Sequence, residues 1–194
     1  MLKRYEKFLS RLDKILNYFY KKQSKYIYCK LGCSACCRNG EYPFSQLEFS
    51  YMTEGFINLP QNQKIIVQQN IMKLLLDKKD WQNKKHKKEE RFEHVCPFLV
   101  NNQCLIYKYR GITCRTYGLC YYDDKEGYLK LPDCVNNGLN YSKYYDSKNK
   151  KLKIKYIPNA NLRIDKILES NIAKKYKLEY GEIRPILDWF NEKK

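Results

Sequence analysis

The sequence predicts a single, mainly helical α+β domain spanning residues 1–194. Three observations carry that expectation. Apolar residues recur at helical spacing over 2–22 and again from 60 to about 80. One stretch, 98–107, reads as two short strands around an Asn-rich turn. Four cysteines crowd into the nine residues 29–37, a density that organises the chain around its middle. A hydrophobic content of 43% with 15% aromatic residues is that of a folded chain. A length of 194 residues suits one sizeable core.

The elements follow in order. Leu2, Tyr5, Leu9, Leu12, Leu16 and Phe19 form an apolar stripe, broadened by Phe8, Ile15 and Tyr20, with Lys and Arg opposite; this is an amphipathic helix over 2–22. Arg38-Asn39-Gly40 reads as a turn. Ser45-Gln46-Leu47-Glu48 has the capping-box pattern of a helix start, and that helix runs to about Ile57. Pro60 opens a longer one on which Ile65, Ile66, Met72, Leu75 and Leu76 recur. Residues 82–91 lack apolar groups and read as a solvated helix end or a mobile connection, with His86 solvated in a lysine run. Phe98–Val100 and Cys104–Tyr107 form a hairpin that would bring Cys96 and Cys104 together. Asp123–Gly127 is an acidic loop, 151–157 alternates as a strand, and two helices over 162–176 and 182–192 close the chain, the last docked by Trp189 and Phe190.

Composition excludes several classes. No window approaches the ~18 consecutive apolar residues of a membrane span. The N-terminus lacks an apolar h-region, so no signal peptide is read and the expected location is cytoplasmic. Nine cysteines, an odd number crowded in one place, do not read as a disulfide framework. The net charge of +17 comes from 30 Lys and only 8 Arg, a solvated exterior rather than a phosphate-reading surface, so nucleic acid is not an expected partner.

Thiols that converge in an unstapled chain serve metal ligation or redox chemistry. On a helix, at ~100° per residue, Cys29, Cys33, Cys36 and Cys37 share an arc of about 100°. Gly32 argues against a perfect helix, but a loop entering a helix at Cys33 keeps the last three together. A second group follows: Cys96, Cys104, Cys114 and Cys134, with Cys120 between. Metal ligation is the expected chemistry.

Three features together resemble the YkgJ-type cysteine-cluster family, named for its CxxCxxCC pattern and described as a zinc- or iron-chelating domain. They are Cys29-x3-Cys33-x2-Cys36-Cys37, then Cys96-Pro97-Phe98-Leu99 with Cys104-x-Ile106-Tyr107, then Arg110 ahead of Cys114-Arg115-x-Tyr117. The resemblance covers 29–134, the metal-binding core of the expected domain, flanked by the helices over 2–22 and 162–192. It implies eight ligands, Cys29, Cys33, Cys36, Cys37, Cys96, Cys104, Cys114 and Cys134, and leaves Cys120 over. The chain departs from the pattern in the three-residue spacing after Cys29 and in Gly111, where a Pro commonly follows the Arg.

Thiolates are soft ligands that suit zinc or iron–sulfur clusters. Adjacent Cys36 and Cys37 are awkward for one small tetrahedral ion and fit two sites better, and eight thiols divide into two sets of four. The balance leans to iron–sulfur over zinc. Arg110 and Arg115 would offset the charge of a thiolate centre and donate to sulfur. His94, two residues before Cys96, reads as a packing histidine more than a ligand. The spacing Cys29-x3-Cys33-x2-Cys36 also matches radical S-adenosylmethionine enzymes, but the βα alternation of their barrel is missing. The expected function is therefore a metal-binding protein with an iron–sulfur or zinc centre and a redox or metal-handling role with a protein or redox partner. The alternatives are a small enzyme related to the flagellin lysine N-methylases that share the family's domain, and a zinc-stabilised adaptor contacting nucleic acid or protein.

Overall fold

A computed structural model of the chain describes residues 1–29, 32–38, 41–86, 90–149 and 151–191. About half of these are helical, and the strands pair in two-stranded antiparallel sheets, an α+β, mainly helical architecture. The first part of the chain forms α1 (Leu2–Gln23), α2 (Ala35–Arg38), β1 (Pro43–Ser45), α3 (Gln46–Ile57), α4 (Gln61–Gln82), β2 (Leu99–Val100) and β3 (Gln103–Cys104). The rest forms α5 (Ile112–Thr116), β4 (Tyr121–Asp123), β5 (Tyr128–Lys130), β6 (Tyr145–Asp146), β7 (Lys151–Leu152), α6 (Ile164–Leu168), α7 (Asn171–Lys175), β8 (Ile183–Pro185) and α8 (Ile186–Phe190). The chain divides into two compact units, Met1–Cys36 with Ile112–Glu179, and Cys37–Gly111 with Tyr180–Lys194. The turn expected at 38–40 lies partly outside the described residues.

In the first unit, α1 buries Tyr5, Phe8, Leu9, Leu12 and Leu16, the stripe expected from its spacing. Two turns on, the same face carries Gln23, which is fully buried. Its Nε2 donates to the carbonyls of Cys120 at 3.1 Å and Pro158 at 2.7 Å. Its Oε1 accepts from the Cys120 N–H at 3.1 Å and from the Tyr141 hydroxyl. Cys120, Val135, Tyr141 and Ile157 form the core that this amide serves. The Tyr20 hydroxyl donates to the carbonyls of Arg115 and Tyr117, at 3.1 and 2.6 Å, and so ties the stretch after α5 to α1.

Three expectations are corrected in this unit. The strand expected over 151–157 is confined to Lys151–Leu152, paired with Tyr145–Asp146. Its alternation fails further on, because Tyr156 is 78% exposed while Ile157 beside it is buried. The helix expected over 162–176 is two short ones, because the Ser170 hydroxyl accepts from the Ala173 N–H and starts a new helix there. Asp123, expected in a loop, is 3% exposed at the end of β4, which pairs with β5. It meets Arg163 Nη1 and Lys130 Nζ, each at 3.1 Å, and accepts from the backbone N–H groups of Lys125 and Glu126.

Burial alone would raise the Asp123 carboxyl; Arg163, Lys130 and the two backbone donors more than offset it and hold it at about 2. A carboxylate depressed in the folded state stabilises fully above its ordinary value of 3.8 and loses that contribution as pH falls through about 2. Asp123→Asn is therefore expected to lower the urea midpoint at neutral pH and to flatten its fall in acid. A variant whose midpoint falls as steeply as wild type between about pH 4 and pH 2 would contradict this.

In the second unit the capping box forms as expected. Ser45 Oγ accepts from the Glu48 N–H at 3.3 Å, and Glu48 Oε2 accepts from the Ser45 N–H at 2.9 Å. The hairpin β2–β3 turns on Asn101 and Asn102, both at positive φ (49° and 61°), the primed turn that matches strand twist. The helix expected over 182–192 is instead β8, paired with β1, followed by α8. Pro185 has no N–H for a helix interior and stands at the start of α8 instead. Trp189 on α8 donates Nε1–H to the Phe44 carbonyl at 2.9 Å and stacks on Phe49 at 5.5 Å.

Lys78 on α4 is buried between Glu41 and Asp188. Of the apolar residues on α4, Val67 is buried, whereas Met72 and Leu76 are about two-thirds exposed. His86 is corrected: it stacks on Trp81 at 3.9 Å, and its ring contacts the Trp81 carbonyl at 2.6 Å and Glu90 at 3.1 Å. A residue that packs on the end of α4 in this way is held by the indole face, which a lysine-rich context conceals. The rest of the 82–91 run lies in part outside the described residues.

Candidate metal centre

The boundary between the units falls between Cys36 and Cys37. Cys29, Cys33, Cys36, Cys114, Cys120 and Cys134 belong to the first unit, and Cys37, Cys96 and Cys104 to the second. All nine are free thiols.

Gly32, at φ +87°, breaks the helix that would have carried four thiols on one face. Cys29 and Cys33 are exposed ahead of α2, and Cys36 is half-buried on it. Cys134 comes from a 3-10 turn a hundred residues later, Asp133–Asn137, and is buried. Cys33 and Cys36 lie near both Cys29 and Cys134. Burial raises the Cys29 thiol; a hydrogen bond from Asn140 opposes that, and the charges of Cys33 and Cys36 add to it. Burial pushes the Cys134 thiol up to about 11, and the charges of Cys29, Cys33 and Cys36 contribute in the same direction. Among the described residues, no group of three or more Cys, His, Asp or Glu closes into a coordination shell.

Asn140, 1% exposed, is the polar residue of this site that sequence reasoning missed. Its Nδ2 donates to Cys29 Sγ at 3.1 Å and to the Gly118 carbonyl at 2.9 Å, and its Oδ1 accepts from the Tyr28 N–H at 2.7 Å. Its backbone N–H hydrogen-bonds the Cys134 thiol and lowers it. Gly118 permits this approach: at φ +99°, a Cβ there would stand 3.1 Å from both Cys29 Sγ and Asn140 Nδ2. No local signal pointed to Asn140, since Cys29 lies 111 residues away.

Cys120 is fully buried in the Gln23–Tyr141 core, where burial pushes its thiol up to about 12. Its backbone N–H also donates to the Tyr141 hydroxyl at 2.7 Å. Cys114 sits on α5, which packs on α1. Arg115 beside it is buried and gives Nη1 to Asp13 on α1 at 2.6 Å.

In the second unit the Cys96 N–H donates to the Cys37 carbonyl at 2.7 Å. Cys104 pairs with Leu99 across the hairpin, and the Leu99 N–H returns to the Cys96 carbonyl at 3.0 Å. Cys96 and Cys104 therefore stand at the same, open end of the hairpin. His94 is 6% exposed; its Nδ1–H donates to the Val95 carbonyl at 2.9 Å, and its Nε2 has no hydrogen-bond partner. The Arg110 guanidinium lies over the Tyr107 ring at 3.8 Å. Gly111 has a packing reason here: a Cβ would come 2.4 Å from the Phe44 ring.

No helix among the described residues is long and apolar enough to cross a membrane. The chain matches no protein-family model, no curated protein and no solved structure.

Proposed function

We propose that the chain is a metal-binding protein whose first unit holds an iron–sulfur cluster or a zinc ion on Cys29, Cys33, Cys36 and Cys134. The observation that carries the reading is that the fold places Cys29, Cys33 and Cys36, close in sequence, near the buried Cys134 of a distant 3-10 turn, so that their charges would add to the rise that burial gives the Cys134 thiol. Thiols whose ionisation is opposed by burial and by neighbouring charge are weak acids alone, and a bound cation would relieve that opposition and hold them as thiolates. In type and number, four sulfurs are the complement of a structural zinc or of a cluster, and a bound ion would have to draw them into its coordination shell. Cys37, Cys96, Cys104 and Cys114 stay candidate ligands on the strength of the YkgJ-type resemblance, with Arg110 and Arg115 as candidate counter-charges. Iron–sulfur is favoured over zinc by the number of thiols and by the division between Cys36 and Cys37, which gives the adjacent pair to different units.

Anaerobic purification followed by iron, zinc and sulfide analysis tests the reading. Cys134→Ser is expected to lose the metal of the first unit, while Cys120→Ala keeps it and costs about 1–2 kcal/mol of stability from the small void. A colourless wild-type protein without iron, zinc or sulfide overturns the proposal. Loss of metal from Cys120→Ala as complete as from Cys134→Ser overturns the ligand set.

A further inference from the structure

We infer that Asn140 is a positioning residue for the thiolate centre, an amide whose orientation is set by two backbone groups so that its remaining N–H is held on the Cys29 sulfur. The inference rests on the reading of Cys29 as a ligand given above.

A side-chain amide carries two N–H donors and one carbonyl oxygen. At Asn140 the oxygen takes the Tyr28 N–H and one donor takes the Gly118 carbonyl, which leaves the second donor for Cys29 Sγ at 3.1 Å. The flipped amide would set NH2 against an N–H and oxygen against a carbonyl, so only one orientation is compatible with both neighbours. At 1% exposure the Asn140 amide itself is shielded from water. The segment itself is anchored: Gly138 and Tyr141 turn at positive φ, and the Tyr141 N–H donates to the Tyr26 carbonyl at 2.8 Å. Residues 138–141 thus grip the chain at Tyr26, Tyr28 and Cys29.

An amide needed only to join two backbone strands has no use for a sulfur partner. An N–H on sulfur favours thiolate over thiol and draws charge from the ligand, which lowers the energy of the sulfur lone pair. In an iron–sulfur centre such bonds raise the reduction potential.

The test loads the full chain anaerobically with Co(II) and compares wild type, Asn140→Asp, Asn140→Ala and Tyr141→Phe. Asn140→Asp keeps the acceptor for Tyr28 and removes both donors; Tyr141→Phe controls for loosening of the adjacent core. Both Asn140 variants are expected to keep the wild-type stoichiometry, to bind about 10–100-fold more weakly, and to move the sulfur-to-cobalt charge-transfer band to longer wavelength. Tyr141→Phe is expected to shift neither. Wild-type affinity and band position in the Asn140 variants, or equal changes in Tyr141→Phe, overturn the inference. A second measurement needs no variant. In wild type loaded with NMR-active cadmium, scalar coupling between the metal and an Asn140 Nδ2 proton is expected through the sulfur. A cadmium-loaded protein without that coupling overturns the role of Asn140 alone, whereas a wild type that takes up neither metal overturns the four-thiolate reading itself.

Discussion

On the four-thiolate reading, chelating the metal is expected to release the segment that carries Cys29, Cys33 and Cys36 while leaving α1 folded. Between Tyr28 and Cys36, Ser34 is the one buried residue among those described, so almost no apolar burial holds this segment in place. Polar contacts hold its start, from Tyr26, Tyr28 and Cys29 to residues 140–141. A structural thiolate site contributes on the order of 10–16 kcal/mol, as large as the whole stability of a typical domain, about 5–15 kcal/mol. Removing that term leaves four thiols whose charges oppose one another. Hydrogen exchange before and after chelation is the measurement. Protection is expected to vanish at Tyr28, and to persist at Tyr141 and along α1. Identical exchange maps with and without metal would mean that the segment is held by the protein alone.

Gln23→Leu is expected to destabilise the first unit by about 3–5 kcal/mol, a cost that a mid-stripe leucine would never suggest from the helix alone. The substitution completes the apolar stripe of α1 and preserves volume. It nevertheless takes the donor from the carbonyls of buried Cys120 and half-buried Pro158, and the acceptor from the Tyr141 hydroxyl in the core. Each buried polar group left without its partner costs roughly 1–3 kcal/mol, which outweighs the gain from an added apolar side chain. The Cys120 N–H is spared, because it keeps the Tyr141 hydroxyl as acceptor. Urea unfolding of Gln23→Leu beside Gln23→Glu, which retains the acceptor and loses the donors, separates the contributions. A leucine variant as stable as wild type would show that the core closes without the amide.

Gln23 also shows how much was legible. It continues the spacing of Leu9, Leu12 and Leu16, and a glutamine at a core-facing position is itself a signal that a buried polar network waits there. The partners of that network were not legible, since Cys120 and Tyr141 lie 97 and 118 residues away. The break at Pro185 could have been read directly, because proline has no place inside the helix expected over 182–192. The partner that made the preceding residues a strand, Pro43–Ser45, could not.

The sequence by itself determined the structures whose causes are local. The stripe of α1, the reciprocal bonds of Ser45 and Glu48, the length of α4 and the Asn101–Asn102 turn each depend on residues within a few positions, whose geometry spacing alone encodes. It also showed which thiols were available. Tertiary structure decided how they are grouped. Gly32, at positive φ, broke the one helix that would have gathered Cys29, Cys33, Cys36 and Cys37, and a distant 3-10 turn brought Cys134 near the first three. The reason is physical: a thiol carries no directional signal along the chain, and its neighbours are chosen by how distant backbone segments pack, here by Asn140 and Gly118 closing on Cys29.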